Sequence, residues 1–304
     1  MPTEKFLAPL YHPKHFAAWL TVFTLYCLSR LSLARKQVLG AWLGGVIYRN
    51  LKSRARITKT NIAICMPELS DSEHNAIAEA SFVATTQGFL ESTHSWWRDV
   101  APLIARLEVK GKKHLLKAQA SGRGTLLIGG HFNVLDLALP LIASQLVKPG
   151  YMYRANKNPV IDRMIECGRR RHYGISAYNK RSLKPMIEFI KQGGEVWYAA
   201  DQDMGRKCDL FVPFFGVSTA CISTPSWIAR ESGANILFVS QFRHAGGHYE
   251  VVFEPLSEDF GEDAEADAIE WNRALEAGIK KHPAQYLWQH KRFKTRPPGE
   301  VGFY

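Results

Sequence analysis

The sequence predicts an α/β fold with a mixed, largely parallel central sheet flanked by helices. From about residue 105 onward, short β-like runs alternate with helical patterns, which is typical of this fold class. The composition, 46% hydrophobic and 22% charged, is that of a globular protein and excludes a disordered or fibrous chain. Because no pattern recurs with a period of 20–50 residues, a repeat protein is excluded as well.

The alternation places the predicted strands at 107–109, 125–128, 151–153, 174–177, 195–200, 235–241 and 248–254. Helices are predicted between them at 114–120, 136–146, 160–172, 181–192, 223–231 and 267–281. Further upstream, Ser70 and Glu73 have the spacing of a capping box, which predicts a helix from there to about residue 99.

The amino-terminal region contains an uncharged run of 13 residues, 16–28. As a helix the run is ~20 Å long, shorter than the ~30 Å hydrocarbon core of a bilayer. A buried core helix remains an alternative, but basic residues follow the run, which favours a membrane anchor with the rest of the chain on the cytoplasmic side. We therefore expect four parts: a membrane-anchor helix within 1–35, a helical membrane-proximal segment over 36–104, an α/β core over 105–296 and a tail over 297–304.

The charge balance predicts an anionic partner. Lys and Arg number 39 against 28 Asp and Glu, a net charge of +11, and eight of the acids lie in a single stretch near residues 254–270. A basic excess over the remaining chain suits nucleic acid, an anionic membrane face, or a phosphorylated or acidic substrate. The five cysteines form no C-x-x-C pair and no zinc-like spacing, which argues against a disulfide framework or structural zinc and fits a reducing compartment.

The segment TLLIGGHFNVLD, residues 125–136, carries the most chemical information. A hydrophobic strand ends in Gly129 and Gly130, which we expect to allow a tight turn and close approach of a substrate. His131 then lies at the carboxyl end of the strand, where catalytic groups gather in α/β sheets. Asp136 follows five residues later, and its carboxylate is expected to return to the imidazole and stabilise the imidazolium.

The surroundings of His131 contain no protein nucleophile. The chain has no G-x-S-x-G motif, and neither Ser nor Cys adjoins the histidine. The simplest chemistry for a His–Asp pair is then direct deprotonation of a substrate hydroxyl or of water. Taken alone, this spacing arises by chance in many proteins, so a loop histidine without a catalytic role remains an alternative at this point.

The strand–GGH–helix setting resembles the H-x4-D/E motif of glycerolipid and lipid A acyltransferases. Further blocks extend the similarity: YRANKNPVID at 153–162, CGRRR at 167–171, EVWYAADQDMG at 195–205, VPFFG at 212–216 and YLWQHKRFKTRPP at 286–298. Together they resemble the late lipid A acyltransferases, within the lysophospholipid acyltransferase superfamily, over essentially the whole chain from about residue 10.

This resemblance implies an inner-membrane enzyme facing the cytoplasm. Its donor would be an acyl chain on acyl carrier protein, and its acceptor a hydroxyl on an acyl chain of a glycolipid like Kdo2-lipid IVA. The implied partners are that carrier protein, the glycolipid and inner-membrane lipids, with no nucleic acid, cofactor or metal. In this family the position of His131 is the general base and that of Asp136 its partner.

Three more residues are expected to take part in the site. Arg169 first and Arg154 second lie in the matched blocks and suit phosphate or carboxylate groups of the substrate. Asp201 is expected to organise the site, paired with Arg169. Asp201 and Asp203 also form a D-x-D pattern that could hold a hard cation, but acyl transfer of this type needs no metal.

Two departures from the family pattern bear on specificity. The run from Asp201 to Gly205 stands where the glycerol-phosphate branch has a Phe-Pro-Glu-Gly-Thr-like block, which disfavours a glycerophospholipid acceptor. Asp136 stands where lauroyl-type enzymes generally have Glu and myristoyl-type enzymes can have Asp, so the late acylation step stays open.

One alternative is an acyltransferase for another membrane lipid, such as a phosphoglycolipid or ornithine lipid. A membrane-tethered nucleic-acid-binding protein is disfavoured, because the chain lacks helix-turn-helix, zinc-finger and RNP signatures.

Overall fold

A seven-stranded sheet organises the chain in the computed structural model, which describes residues 8–181 and 183–304. Its strands are β1 (Leu107–Lys110), β2 (Thr125–Gly129), β3 (Pro149–Tyr153), β4 (Ser176–Asn179), β5 (Glu195–Ala199), β8 (Asn235–Arg243) and β9 (Tyr249–Pro255). A separate antiparallel hairpin consists of β6 (Leu210–Phe214) and β7 (Val217–Cys221).

The strand order of the large sheet is β1-β9-β8-β2-β5-β3-β4. The five strands β8, β2, β5, β3 and β4 run parallel, whereas β9 pairs antiparallel with β8, and β1 pairs parallel with β9. The prediction of a mixed, largely parallel sheet is therefore confirmed. The carboxyl ends of the five parallel strands meet at one edge, which places the loops that follow them side by side.

Eleven α-helices surround the sheet within the described ranges. They are α1 (Phe16–Ser29), α2 (Leu33–Asn50), α3 (Lys52–Cys65), α4 (Asp71–Trp97), α5 (Ala101–Ile104), α6 (Lys112–Ala120), α7 (Leu135–Ala143), α8 (Pro159–Arg170), α9 (Lys184–Lys191), α10 (Thr224–Ser232) and α11 (Ala264–Lys281). The predicted helices of the core are all present, with ends shifted by a few residues. The capping box is confirmed, since the Ser70 side chain accepts from the Glu73 N–H and Glu73 reaches back to the Ser70 N–H.

The β6–β7 hairpin is absent from the strands predicted from the sequence. Its two turn residues, Phe215 and Gly216, have φ angles of 50° and 76°, the left-handed conformation that two-residue hairpin turns require. Pro213 cannot donate a ladder hydrogen bond, and proline within a run normally argues against a strand. An isolated hairpin tolerates it because β6 has only one strand neighbour.

The central strand β2 is buried on both faces. Leu126 and Ile128 belong to one hydrophobic cluster with Leu275 of α11, whereas Leu127 belongs to a second cluster with Leu137 of α7. Alternating side chains of a strand point to opposite faces, so the two clusters show that helices cover both sides of the sheet. The segment that follows β2 therefore starts from the buried centre of the sheet.

The helices α2 and α4 pack very closely. A Cβ atom on Gly40 would lie 2.7 Å from the Cα of Gln87, and one on Gly44 would lie 2.6 Å from the Cα of Val83. Only glycine allows this approach of the two backbones. Helix α4 therefore packs against the amino-terminal helices α1, α2 and α3, and it also contacts α7 and α8, which flank the sheet.

The membrane-anchor helix expected within 1–35 stays an expectation. Among the described residues, no helix combines the length and apolar character needed to cross a bilayer. The alternative of a buried core helix over 16–28 is wrong, because α1 leaves Phe16 72%, Leu20 55% and Phe23 63% exposed. Residues 1–7 of the expected anchor lie outside the described part of the chain.

Candidate active site

His131 lies just beyond the carboxyl end of β2, as the sequence predicts. Its side chain is about one-quarter exposed and lines a cavity of about 250 Å³. Apolar side chains form much of the wall: Leu135, Met152, Trp197, Ala199, Ala200, Met204 and Ile222. A titratable ring that faces an apolar cavity at a strand end has the placement of a catalytic group.

The two glycines before His131 serve packing rather than a special turn. Neither has a positive φ angle. A Cβ atom on Gly130 would lie 2.4 Å from Cδ1 of Leu275, and one on Gly129 would lie 2.7 Å from Nε1 of Trp197. The expectation that the glycines are needed for a tight turn is therefore wrong. They are needed because α11 and β5 approach β2 too closely for a side chain at these positions.

The imidazole of His131 is held by Asp201. Its Nδ1 lies 2.5 Å from Oδ1 of Asp201, and the His131 backbone N–H donates to Oδ2 at 2.9 Å. The sheet register explains the contact, because Gly129 of β2 pairs with Ala199 of β5. His131 lies two positions after Gly129, and Asp201 lies two positions after Ala199. The expected pairing of His131 with Asp136 is not formed, because the neighbouring strand brings a carboxylate closer than the next helix does.

Asp136 instead binds Arg169. Nε of Arg169 donates to Oδ1 of Asp136 at 2.5 Å, and both side chains are more than four-fifths buried. Asp136 lies in the first turn of α7 and Arg169 at the end of α8, so the pair joins two helices. The guanidinium also lies over the ring of Tyr151, 5.3 Å from its centroid. The expected pairing of Asp201 with Arg169 is therefore wrong, and the two acids have exchanged partners.

Opposing effects set the pKa values of His131 and Asp201. Burial alone would lower the pKa of His131, but the charge and hydrogen bond of Asp201 outweigh it and raise that pKa above its usual value. Burial alone would raise the pKa of Asp201, which is 1% exposed, but His131 and the charge of Arg292 hold it well below its usual range. Asp201 therefore stays ionised and favours the imidazolium form of His131.

Arg169 belongs to the same electrostatic unit as His131. Its positive charge opposes the effect of Asp201 on the pKa of His131. Both Arg169 and His131 line the cavity. The site thus contains two side chains that are each held by a carboxylate, the His131 imidazole and the Arg169 guanidinium, and both face the same cavity.

Arg292 is a member of the site that sequence reasoning missed. It is 1% exposed, donates from Nη1 to the carbonyl of Ala220 at 2.9 Å, and lies over the ring of Phe214. Its charge helps to lower the pKa of Asp201. The only signal in the sequence is its place in the block at 286–298, since a buried arginine cannot be told from a surface one by pattern.

The D-x-D pattern does not bring its two carboxylates to one point. Asp201 accepts from His131, whereas Asp203 accepts from the Thr295 N–H at 2.6 Å and from the Gly205 N–H at 2.7 Å. Hydrogen bonds to different parts of the fold therefore occupy both side chains, which disfavours a shared cation.

Another cluster of possible metal ligands lies elsewhere in the described chain. The donor atoms of His244, Glu250 and His282 lie within 4.8 Å of one another. Glu250 is already paired with Lys110 at 2.6 Å and Lys281 at 3.2 Å. Two ammonium groups on the single carboxylate disfavour a bound cation there.

Comparison with known proteins identifies the family of the chain. Residues 3–295 match the family model described as bacterial lipid A biosynthesis acyltransferase. The chain is 36% identical over 299 residues to the lipid A biosynthesis lauroyltransferase of Escherichia coli strain K12, covering 97% of each chain. It is 29% identical to the palmitoleoyltransferase of that strain, covering 100% of this chain and 99% of the relative, and 26% identical to its myristoyltransferase, covering 95% and 90%. The chain therefore belongs to the bacterial lipid A biosynthesis acyltransferase family and is an acyltransferase.

Proposed function

We propose that the protein transfers a fatty acyl chain from acyl carrier protein to a hydroxyl of a Kdo-bearing lipid A precursor, as a late acylation step. The names of the relatives support a lipid A-type acceptor. The single observation that carries the mechanism is the imidazole of His131, held by Asp201 and open to a cavity with an apolar wall. An acyl chain fits such a wall, and a base beside it fits hydroxyl activation.

In the proposed reaction, His131 acts as the general base. With Nδ1 donating to Asp201, its Nε2 carries a lone pair that takes the proton of the acceptor hydroxyl. The hydroxyl oxygen attacks the thioester carbon, and the thiolate of the carrier leaves with the proton from Nε2. A general base contributes about 10²–10⁴ to the rate, and positioning of the two bulky substrates supplies much of the rest.

Arg169 is the group that we assign to the oxyanion of the tetrahedral intermediate. The His131 backbone N–H is already bonded to Asp201, so it cannot serve the oxyanion. The guanidinium of Arg169 lines the same cavity, and Asp136 and the Tyr151 ring hold it in place. A preorganised cation where negative charge develops is among the strongest catalytic devices. Asp136 then acts through Arg169, as a positioning residue.

We also propose that the enzyme works at the cytoplasmic face of the inner membrane. Exposed apolar side chains on α1 (Phe16, Leu20 and Phe23) and on α2 (Val38 and Trp42) support this location. Soluble proteins seldom leave several large apolar groups this exposed unless they contact a membrane or a partner. Because α1 has only 14 residues, fewer than the ~20 that a spanning helix needs, a position in the membrane interface fits it better than a spanning one.

The test is a reconstituted reaction. Purified protein, acyl carrier protein charged with a fatty acid, and a tetra-acylated Kdo-bearing precursor should give a lipid heavier by one acyl chain in mass spectrometry. His131→Ala should lose about 10²–10⁴ in kcat. The exposed His248, which lies on the loop before β9, provides a matched control, and His248→Ala should keep full activity. Full activity in His131→Ala would refute the assignment of His131 as the general base. Transfer to another lipid in place of the precursor would refute the proposed acceptor.

A further inference from the structure

Two cations stand next to each other at the carboxyl edge of the sheet. Tyr153, the last residue of β3, pairs with Asn179, the last residue of β4. The next residue on each strand is basic, Arg154 and Lys180, and the Lys180 N–H donates to the Tyr153 carbonyl at 3.0 Å. Both side chains line the cavity that contains His131. The sheet register therefore places two positive charges at the catalytic space.

Two further cations surround Lys180. Arg181 follows it in the chain, and Lys207 lies in a short 3-10 turn after β5. Burial lowers the pKa of Lys180 most, and the charges of Arg154, Lys207 and Arg181 lower it further. Lys180 is half-buried, whereas the other three are exposed. Lys180 thus lies in a group of four positive charges, two of which, Arg154 and Lys180, line the cavity.

Nearby acids do not neutralise this group. Within the described ranges, none of the four forms an ion pair shorter than 4 Å, although Arg154 shares a small hollow with Asp162 and Glu166. The Asp162 carboxylate accepts from the backbone N–H of Asn156 at 2.6 Å. Glu166 is paired with two other arginines of α8 at 3.0 and 3.2 Å. A cluster of like charges without counterions costs free energy that a bound anion would recover.

We propose that Arg154, Lys180, Arg181 and Lys207 form the binding site for a phosphate group of the glycolipid acceptor. This inference rests on the proposed function and extends it, since it names the substrate group and three residues beyond Arg154. A phosphate monoester carries up to two negative charges and three acceptor oxygens, which suits several converging cations. We assign the glycolipid rather than the carrier protein because Arg154 and Lys180 line the catalytic cavity itself, whereas a folded acidic protein would contact an outer surface.

The binding measurement uses the His131→Ala protein, in which turnover is blocked, and the glycolipid in detergent micelles. When Lys180→Gln is introduced into this His131→Ala protein, its affinity for the glycolipid should fall at least tenfold. This is the size expected for loss of a charge-assisted hydrogen bond. Lys180→Arg, which keeps the charge, should bind within about threefold of the parent. Lys191→Gln, on the exposed side of α9 next to Glu188, is the matched control and should bind like the parent.

A kinetic measurement identifies the group that is bound. In the otherwise native enzyme, Lys180→Gln should raise KM for the acceptor at least tenfold, with kcat and KM for the charged carrier protein within about twofold. With an acceptor from which the phosphates have been removed enzymatically, native enzyme and variant should have the same high KM.

Three results would overturn the proposal: unchanged glycolipid affinity in Lys180→Gln, a rise in KM for the carrier protein in place of the acceptor, or an equal penalty for phosphorylated and dephosphorylated acceptors. If native enzyme transfers no acyl chain but the His131→Ala protein binds the phosphorylated glycolipid through Lys180, the proposed reaction fails and the binding site stands.

Discussion

Replacing Asp201 by Asn should almost abolish catalysis, for a reason visible in the hydrogen bonds. The two oxygens of Asp201 accept from two donors of one residue, the Nδ1–H and the backbone N–H of His131. Asn has the same shape but only one acceptor oxygen. The backbone N–H cannot change, so the Asn oxygen turns to it and the NH2 group faces Nδ1. The ring must then carry its proton on Nε2, where it cannot take one from a hydroxyl.

The size of the effect follows from the change of tautomer. A histidine held in the wrong tautomer by such a substitution loses about 10⁴ in kcat. Asp136→Asn differs, because its oxygen can still accept from Nε of Arg169 and only the charge is lost. Weakening one oxyanion-stabilising group costs about 10²–10³ at most. We therefore expect Asp201→Asn to be at least tenfold more damaging than Asp136→Asn.

The assay is the pH dependence of kcat between about pH 5 and 9. Because Asp201 raises the pKa of His131, the native enzyme should lose activity as pH falls through a pKa higher than the ordinary value of histidine. Removing the negative charge favours the neutral ring, so the acid limb of Asp201→Asn should move to lower pH. Asp136→Asn should keep the native acid limb. Circular dichroism and urea unfolding of both variants would show whether the fold is retained.

The reasoning would be refuted if Asp201→Asn kept kcat within tenfold of the native enzyme while folded. It would equally fail if Asp136→Asn were the more damaging variant and moved the acid limb. That second result would mean that the ring turns toward α7 during the reaction, as the spacing along the chain suggests.

Three further variants test the fold and the membrane contact. Gly88→Ala should destabilise the protein by about 1–3 kcal/mol in urea unfolding and lower kcat, because its Cβ would lie 1.7 Å from a backbone carbonyl of the loop after β2. Gly45→Ala, with no atom closer than 3.9 Å, is the control. Glu91→Ala should cost about 3–5 kcal/mol, since it removes the carboxylate 3.0 Å from Nε of Arg243 and leaves that side chain, 9% exposed, without a counterion. Trp42→Ser, at a side chain 63% exposed, should weaken sedimentation with anionic vesicles and leave the unfolding midpoint unchanged.

Each of these has a result that contradicts it. Equal stability of the two glycine variants would mean that α4 and the loop after β2 are not in contact. A cost below about 1 kcal/mol for Glu91→Ala would indicate that water reaches Arg243. Unchanged vesicle binding of Trp42→Ser would remove α2 from the membrane contact.

The fold class and the position of His131 could be predicted from the sequence alone. The period of the hydrophobic pattern and the length of each segment separate the strands from the helices of the core, because local side-chain patterns decide which element a segment can form. The placement of His131 at a strand end follows from the same local pattern, as does the start of α4 at its capping box. These features depend on residues within a few positions of one another.

The carboxylate that holds His131 could not be predicted from the sequence, because it comes from a distant segment. Asp136 is close in the chain, whereas Asp201 is close in space, because β5 lies beside β2 in the sheet. Strand order arises from packing between distant segments, and spacing along the chain carries no record of it. The same holds for Lys180, which reaches the cavity only because β4 pairs with β3. Chemistry at the edge of a parallel sheet is assembled across strands, so its partners become visible only once the strands are in place.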